Sequence, residues 1–237
     1  MTAAAWEETW FDQAATARRD LWRGVEAQHQ VATMRLVDDL QDQELLEQVL
    51  ESSKPPLPPS CVGLPYLLAT PFRYAPPWPS RFRAAHEPGA WYGADEPGTV
   101  AAELAHWRWR FFMDSEGLRG EQLVTEHTFF LARFDGTELD LTRPPWNAHR
   151  ATWRDPDDYA ECHRLAAAVR RRAPPIAAIR YESARREHGG CAAVFDASRL
   201  AIPQPHRQQT WICKITRELV LWVHQDEVLE FRQPMQA

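Results

Sequence analysis

Between Ala90 and Phe111 the chain passes from the period of a strand to the period of a helix, and that switch constrains its fold more than any other stretch. Ala90-Trp91-Tyr92-Gly93-Ala94 reads as a short strand ending in turn residues. Glu96-Pro97 then predicts a helix start, because proline in the first turn gives up an amide that would be unpaired anyway. From there Val100, Leu104, Trp107 and Phe111 recur at helical spacing and predict the core face. Glu103 falls on or beside that face, where a carboxylate is costly unless it is paired or used. Arg81 lies on the segment before the strand, so Arg81, Tyr92 and Glu103 are expected around one cleft, with Arg81 at its mouth. Residue types alone leave two readings of Glu103 open, a structural ion-pair partner among arginines or a working carboxylate.

Upstream, Trp6, Trp10 and Phe11 followed by Ala14, Ala15 and Ala17 suit a short helix docking by its aromatic face. Leu21–Glu26 suits either a continuation of that helix or a strand. A helical period through Leu45, Leu46, Val49 and Leu50 ends before Pro55-Pro56-Leu57-Pro58-Pro59, a stiff extended connector. Residues 1–59 are therefore expected to form an N-terminal helical elaboration with its connector, including a first strand near 20–26, and residues 60–237 the main domain. Aromatics at Trp6, Trp10 and Trp22, with the connector, suggest surface given to a partner chain or a second copy.

Tyr66–Tyr74 leans toward strand and offers Arg73 as a cleft wall. Thr128–Phe134 and Glu138–Thr142 read as two strands around the turn Asp135-Gly136. Asp155-Pro156 precedes a helix with Tyr159, Cys162, Leu165 and Val169, closed by Arg170-Arg171-Arg172 at its C-terminus. Ile176–Tyr181, Cys191–Asp196 and three C-terminal runs read as further strands, which gives an α+β class.

A net charge of -6 argues against a domain that holds nucleic acid by neutralising phosphates. No basic leader with an apolar stretch and no membrane-length apolar run is visible, so a cytoplasmic protein is expected. The four cysteines are scattered and the histidines show no ligand spacing, so neither a disulfide framework nor a metal site is expected. There is also no glycine-rich loop of the Rossmann or P-loop kind.

Ser80-Arg81-Phe82, then Gly89-Ala90-Trp91-Tyr92-Gly93-Ala94-Asp95, then a helix bearing Glu103, resembles the RES family of NAD-degrading toxins from bacterial toxin–antitoxin pairs. Ile179-Arg180-Tyr181-Glu182-Ser183-Ala184-Arg185 resembles the family's serine loop, and Leu21-Trp22-Arg23 its opening strand with an aromatic-Arg pair. The resemblance implies a split mixed sheet similar to that of ADP-ribosyltransferases, with flanking helices. It implies Arg81, Tyr92, Glu103 and Ser183 as catalytic residues, with Arg23 and Arg73 joining Arg81 and Tyr92 in substrate binding. It further implies NAD as substrate, cleaved by phosphorolysis or hydrolysis with inorganic phosphate as a co-substrate and no cofactor, and a small helix-turn-helix, Xre-like antitoxin as partner.

Those residue types suit that chemistry: arginines grip phosphate oxygens, aromatic rings stack on a base, and a carboxylate stabilises a cationic ribose. No His or Lys base is spaced to make Ser183 a nucleophile. Transfer of ADP-ribose to a protein acceptor, and a non-catalytic interaction protein of the same fold, are the alternatives.

Overall fold

The computed structural model describes residues 6–27, 36–118 and 121–232. After a 3-10 turn at Glu8–Gln13, the elements run β1 (Ala15–Glu26), α1 (Leu40–Ser53), α2 (Tyr66–Arg73), β2 (Trp91–Ala94), α3 (Pro97–Asp114) and β3 (Leu123–Asp140). Then come α4 (Arg150–Trp153), α5 (Ala160–Arg170), β4 (Ala178–Glu182), β5 (Gly190–Val194) and β6 (Leu200–Ala201). Three strands close the chain, β7 (Gln208–Ile215), β8 (Leu219–His224) and β9 (Glu227–Arg232). Residues 28–35, inside the expected N-terminal elaboration, lie outside the described residues.

Strand β1 is paired on both edges. It runs antiparallel to β3 from Ala15 opposite Glu138 to Glu26 opposite His127, and meets β2 at Trp22 opposite Ala94. Because β2 pairs β5, β5 pairs β4, and β4 lies parallel to the C-terminal end of β3, these strands return on themselves as a ring. The N-terminal part of β3 carries β7, β8 and β9 outward as an antiparallel extension. The result is the expected α+β class, one large mixed sheet flanked by helices.

Side chains alternate between two buried layers, as the strand period requires. Phe130, Ala132 and Phe134 of β3 enter one layer with Leu68, Ala69 and Phe72 of α2. Phe129, Leu131 and Leu139 enter the other, with Ala105, Trp109 and Phe112 of α3 and Leu165 and Val169 of α5. Burial on both faces explains why this strand reads as a nearly continuous apolar run.

Several local expectations give way to tertiary context. Asp135-Gly136 is not a turn but lies inside β3, opposite Arg18 and Ala17. An Asp-Gly pair makes a hairpin only where its two flanks pair with each other; here both pair with β1, and the cross-strand ion pair Asp20–Arg133, at 2.8 Å, fixes the register. Tyr66–Arg73 is a helix because Leu68, Ala69 and Phe72 share one buried face, which outweighs its β-leaning residues. The helix expected through Ala14–Ala17 is confined to the Glu8–Gln13 turn, and Ala15 and Ala17 already belong to β1.

Helix α3 starts where expected, with Glu96 as N-cap and Pro97 in its first turn, but it is rotated from the expected face. Ala101, Ala102, Ala105, Trp109 and Phe112 are buried, whereas Trp107 and Phe111 are exposed. Small alanines let the helix lie close on the sheet, and Val100, Glu103, Leu104 and Trp107 are left facing a cavity. Trp6, Trp10 and Trp22, expected as partner surface, pack within the chain. Trp22 is 6% exposed, and Trp6 and Trp10 lie 6.4 and 5.3 Å from Trp146, centre to centre. Several exposed apolar side chains, Leu45, Val49 and Leu50 among them, lie on α1, which has no buried residue; others, such as Trp78 and Phe111, lie elsewhere. Among the described residues no helix is long and apolar enough to cross a membrane. All four cysteines are buried and free.

Candidate functional site

Ser80 and Arg83 close a tight turn through paired backbone hydrogen bonds of 2.9 and 3.0 Å, with Arg81 and Phe82 at its tip. Phe82 anchors the turn in the core against Tyr181, at 4.8 Å between ring centres. Tyr92, from β2, braces it with its hydroxyl, which accepts the Phe82 amide at 3.1 Å and shares a 2.9 Å hydrogen bond with Ser80 Oγ. Burial raises the Tyr92 pKa, so the brace is a neutral phenol. His163 Nε2 donates to Ser80 O at 2.8 Å. Arg81 itself is 6% exposed, and its Nη1 donates to the carbonyls of Trp153 and Asp155 at 2.9 and 2.7 Å.

Glu103 reaches the same space from α3, one turn before Trp107. Ser183 Oγ donates to Glu103 Oε1 at 2.5 Å and accepts the amides of Arg185 and Arg186, each at 3.0 Å. A hydroxyl has one proton and two lone pairs. With both lone pairs taken, the proton is directed at the carboxylate and no pair remains for attack on a substrate. Ser183, fully buried, therefore orients Glu103. One turn on, Arg185 Nη2 donates to His106 Nε2 at 2.9 Å. Burial, with Arg185 and Arg110 nearby, pushes the His106 pKa down to about 4, which keeps that imidazole neutral.

Arg23 comes from β1. Its Nη1 donates to Tyr92 O at 2.9 Å and its guanidinium carbon lies 5.5 Å from the Trp91 ring centre, while its Nε has no partner. Desolvation lowers its pKa to about 10. It is a cation aimed into the protein with hydrogen-bonding capacity to spare. Beside it, a Cβ on Gly24 would lie 2.6 Å from Leu104 Cδ1 and from the Phe129 ring, so a side chain there would push on both.

Arg23, Arg81, Tyr92 and Glu103 line one cavity of about 240 Å³, walled by Trp22, Trp107, Tyr159 and Tyr181. Ser183 joins them through its bond to Glu103 rather than by facing the cavity. Arg73 does not join. It donates to Glu51 Oε1 at 2.6 Å and to Pro55 O, tying α2 to the end of α1, because its segment is a helix and not the strand expected. A wider groove of about 710 Å³ lies along another face of α3, with His106, Arg110, Asp157 and Arg185 in its walls.

Tyr159 is the wall residue the sequence reading missed, having been placed among the apolar positions of a helix. Its available signal was the pair Tyr159 and His163, four apart and hence on one helical face. Two cations, one oriented carboxylate and aromatic walls can hold an anionic nucleotide and stabilise positive charge developing on a sugar.

Comparison with known proteins gives a match to the RES domain family model over residues 58–215, more than half of the chain. Arg23 lies before the matched residues but lines the same cavity as those within them. No curated protein matches the chain. Among solved structures, the chain is similar to one from the M. tuberculosis MbcT–MbcA toxin–antitoxin complex, at 13% identity and a TM-score of 0.47, covering 89% of this chain and 94% of that one.

Proposed function

The chain belongs to the RES domain family, and from that premise we propose that it consumes NAD by breaking the bond between nicotinamide and ribose. The observation that carries this reading is a carboxylate, Glu103, fixed by a 2.5 Å bond from Ser183 in a cavity whose other charged lining groups are Arg23 and Arg81.

In NAD the ring nitrogen of nicotinamide carries the positive charge. As the carbon–nitrogen bond breaks, its electron pair goes to nitrogen, neutral nicotinamide leaves, and cationic character builds on the ribose. A preorganised carboxylate stabilises that charge and costs no reorganisation at the moment of reaction. Arg81 and Arg23 answer the pyrophosphate, and the aromatic walls answer the rings. The ribose carbon then takes an oxygen from water, which gives up a proton to solvent and yields ADP-ribose, or from an ionised oxygen of inorganic phosphate, which yields ADP-ribose phosphorylated at that carbon. Ser183, with its lone pairs engaged, keeps Glu103 aimed and is not the acceptor. On this reading NAD is substrate and no cofactor takes part.

Depletion of NAD would stop growth, so the same reading makes the chain a toxin acting in the cytoplasm. The family resemblance implies a helix-turn-helix antitoxin that covers the cavity. The test is purified protein with NAD, with and without phosphate, followed by nicotinamide release and product mass. Nicotinamide release with free ADP-ribose or its phosphate supports the proposal. Label retained on protein instead means ADP-ribosyl transfer, and no release of nicotinamide overturns NAD cleavage altogether.

A further inference from the structure

We infer that Tyr159, with the segment from Trp153 that leads to it, is a positioning device for Arg81 and thereby sets how tightly the dinucleotide is held. The functional half of this rests on the NAD reading of the cavity; the positioning half rests on geometry alone.

The segment is prearranged. Asp155 Oδ1 accepts the amides of Asp157 and Asp158 at 2.9 and 2.7 Å, which closes it into a cap ahead of α5. In that shape the carbonyls of Trp153 and Asp155 converge on one nitrogen, Arg81 Nη1. A guanidinium pinned at one nitrogen can still tilt out of its plane. The Tyr159 ring, centred 4.7 Å from the guanidinium carbon, blocks that tilt from one side. The ring is itself pinned, because Tyr159 Oη donates to Pro156 O at 3.1 Å.

One helical turn later, His163 holds the backbone of the same turn through Ser80 O. The start of α5 thus grips Arg81 twice, once by its backbone and once by its charged head. All of these holders are carbonyls or rings. None is a carboxylate: the nearby Asp155 carboxylate is bonded to the Asp158 and Asp157 amides and not to the guanidinium, whose remaining N–H groups are left for an anion in the cavity that Arg81 and Tyr159 both line.

Two substitutions separate ring from bulk. Tyr159→Leu keeps apolar volume and removes the aromatic face; Tyr159→Phe keeps the face and removes the bond to Pro156. With NAD as substrate, Tyr159→Leu is expected to raise KM by about tenfold with kcat within about threefold of wild type, and Tyr159→Phe to recover most of the loss. A wild-type KM in Tyr159→Leu overturns the inference. A readout independent of turnover is the mobility of the Arg81 Nε–H bond, read as its proton–nitrogen heteronuclear NOE, the signal being assigned by its disappearance in Arg81→Lys; unlike the position of the signal, the NOE does not change merely because a neighbouring ring has gone. It should fall in Tyr159→Leu and keep its wild-type value in Tyr159→Phe. An unchanged NOE in Tyr159→Leu overturns the positioning whatever the enzyme does. An NOE that falls in Tyr159→Leu, when the wild type consumes no NAD, upholds the positioning and sinks the NAD reading instead.

Discussion

Replacing Arg23 by methionine is expected to stabilise the protein while weakening its hold on NAD, an unusual combination for a side chain set in a core strand. A fall in pKa from 12.5 to about 10 corresponds to roughly 3 kcal/mol against the charged form, at about 1.36 kcal/mol per pH unit. Part of the side chain opens onto the cavity, so solvent there reduces the penalty to about 2 kcal/mol. Losing the bond to Tyr92 O returns about 1 kcal/mol. The net is a gain of about 1 kcal/mol, a rise in Tm of about 2–4 °C for a chain of this size. Arg19, on the same strand, provides the opposite control. It pairs with Glu138, which is 4% exposed, so Arg19→Met strands a buried carboxylate and should cost about 3 kcal/mol or more. Calorimetry on the two variants, with NAD titrated into each, is the assay. Affinity for NAD should fall by about tenfold or more in Arg23→Met. If Arg23→Met melts well below wild type and binds NAD normally, Arg23 is a structural residue and its unpartnered Nε does not serve a ligand.

Glu103→Gln preserves shape and an acceptor for Ser183, so it should cost about 1 kcal/mol or less in stability but lower NAD turnover by about a hundredfold; a variant with wild-type turnover returns Glu103 to a structural role. Ser183→Ala strands the amides of Arg185 and Arg186 and releases Glu103, so it should lose about 2 kcal/mol and most activity. Intact mass of the wild type during turnover should show no adduct on Ser183, and a serine-linked ADP-ribose would refute its orienting role. Acid should weaken the fold between pH 6.5 and about 4, because the unfolded chain takes up protons that His106 and His127, with pKa values lowered to about 4, refuse while folded. Urea unfolding of His127→Leu at pH 7 and pH 5 should show a smaller loss than wild type, and equal losses in the two proteins would remove His127 from the explanation.

The helix start at Glu96-Pro97, the strand at Trp91 and the placing of Tyr92 and Glu103 near each other were legible because local signals and tertiary structure agree there. The face of α3 was not. Periodicity marks a stripe of large apolar residues, but Ala101, Ala102 and Ala105 take the sheet side with Trp109 and Phe112 since they permit closer approach, and Val100, Leu104 and Trp107 of that stripe line the cavity. The Asp135-Gly136 turn misled for a related reason: a turn signal is local, whereas the partner that overrides it, β1, is more than a hundred residues away. That Tyr92 lies at the cavity was legible, but that its hydroxyl braces the Arg81 turn is a feature only coordinates reveal. Arg73 was misplaced because its segment was read with the wrong period.

The double pairing of β1 also orders events during synthesis. Strand β1 carries Arg23, but its long partner runs from Leu123 to Asp140, and the pairing that closes the ring through β4 and β5 waits until Val194. Such distant closure is slow compared with local helix formation. A nascent chain can form α3 and present Glu103 well before Ser183 exists to orient it or β5 exists to wall the cavity. A product ending before the serine loop has the carboxylate but no means of aiming it.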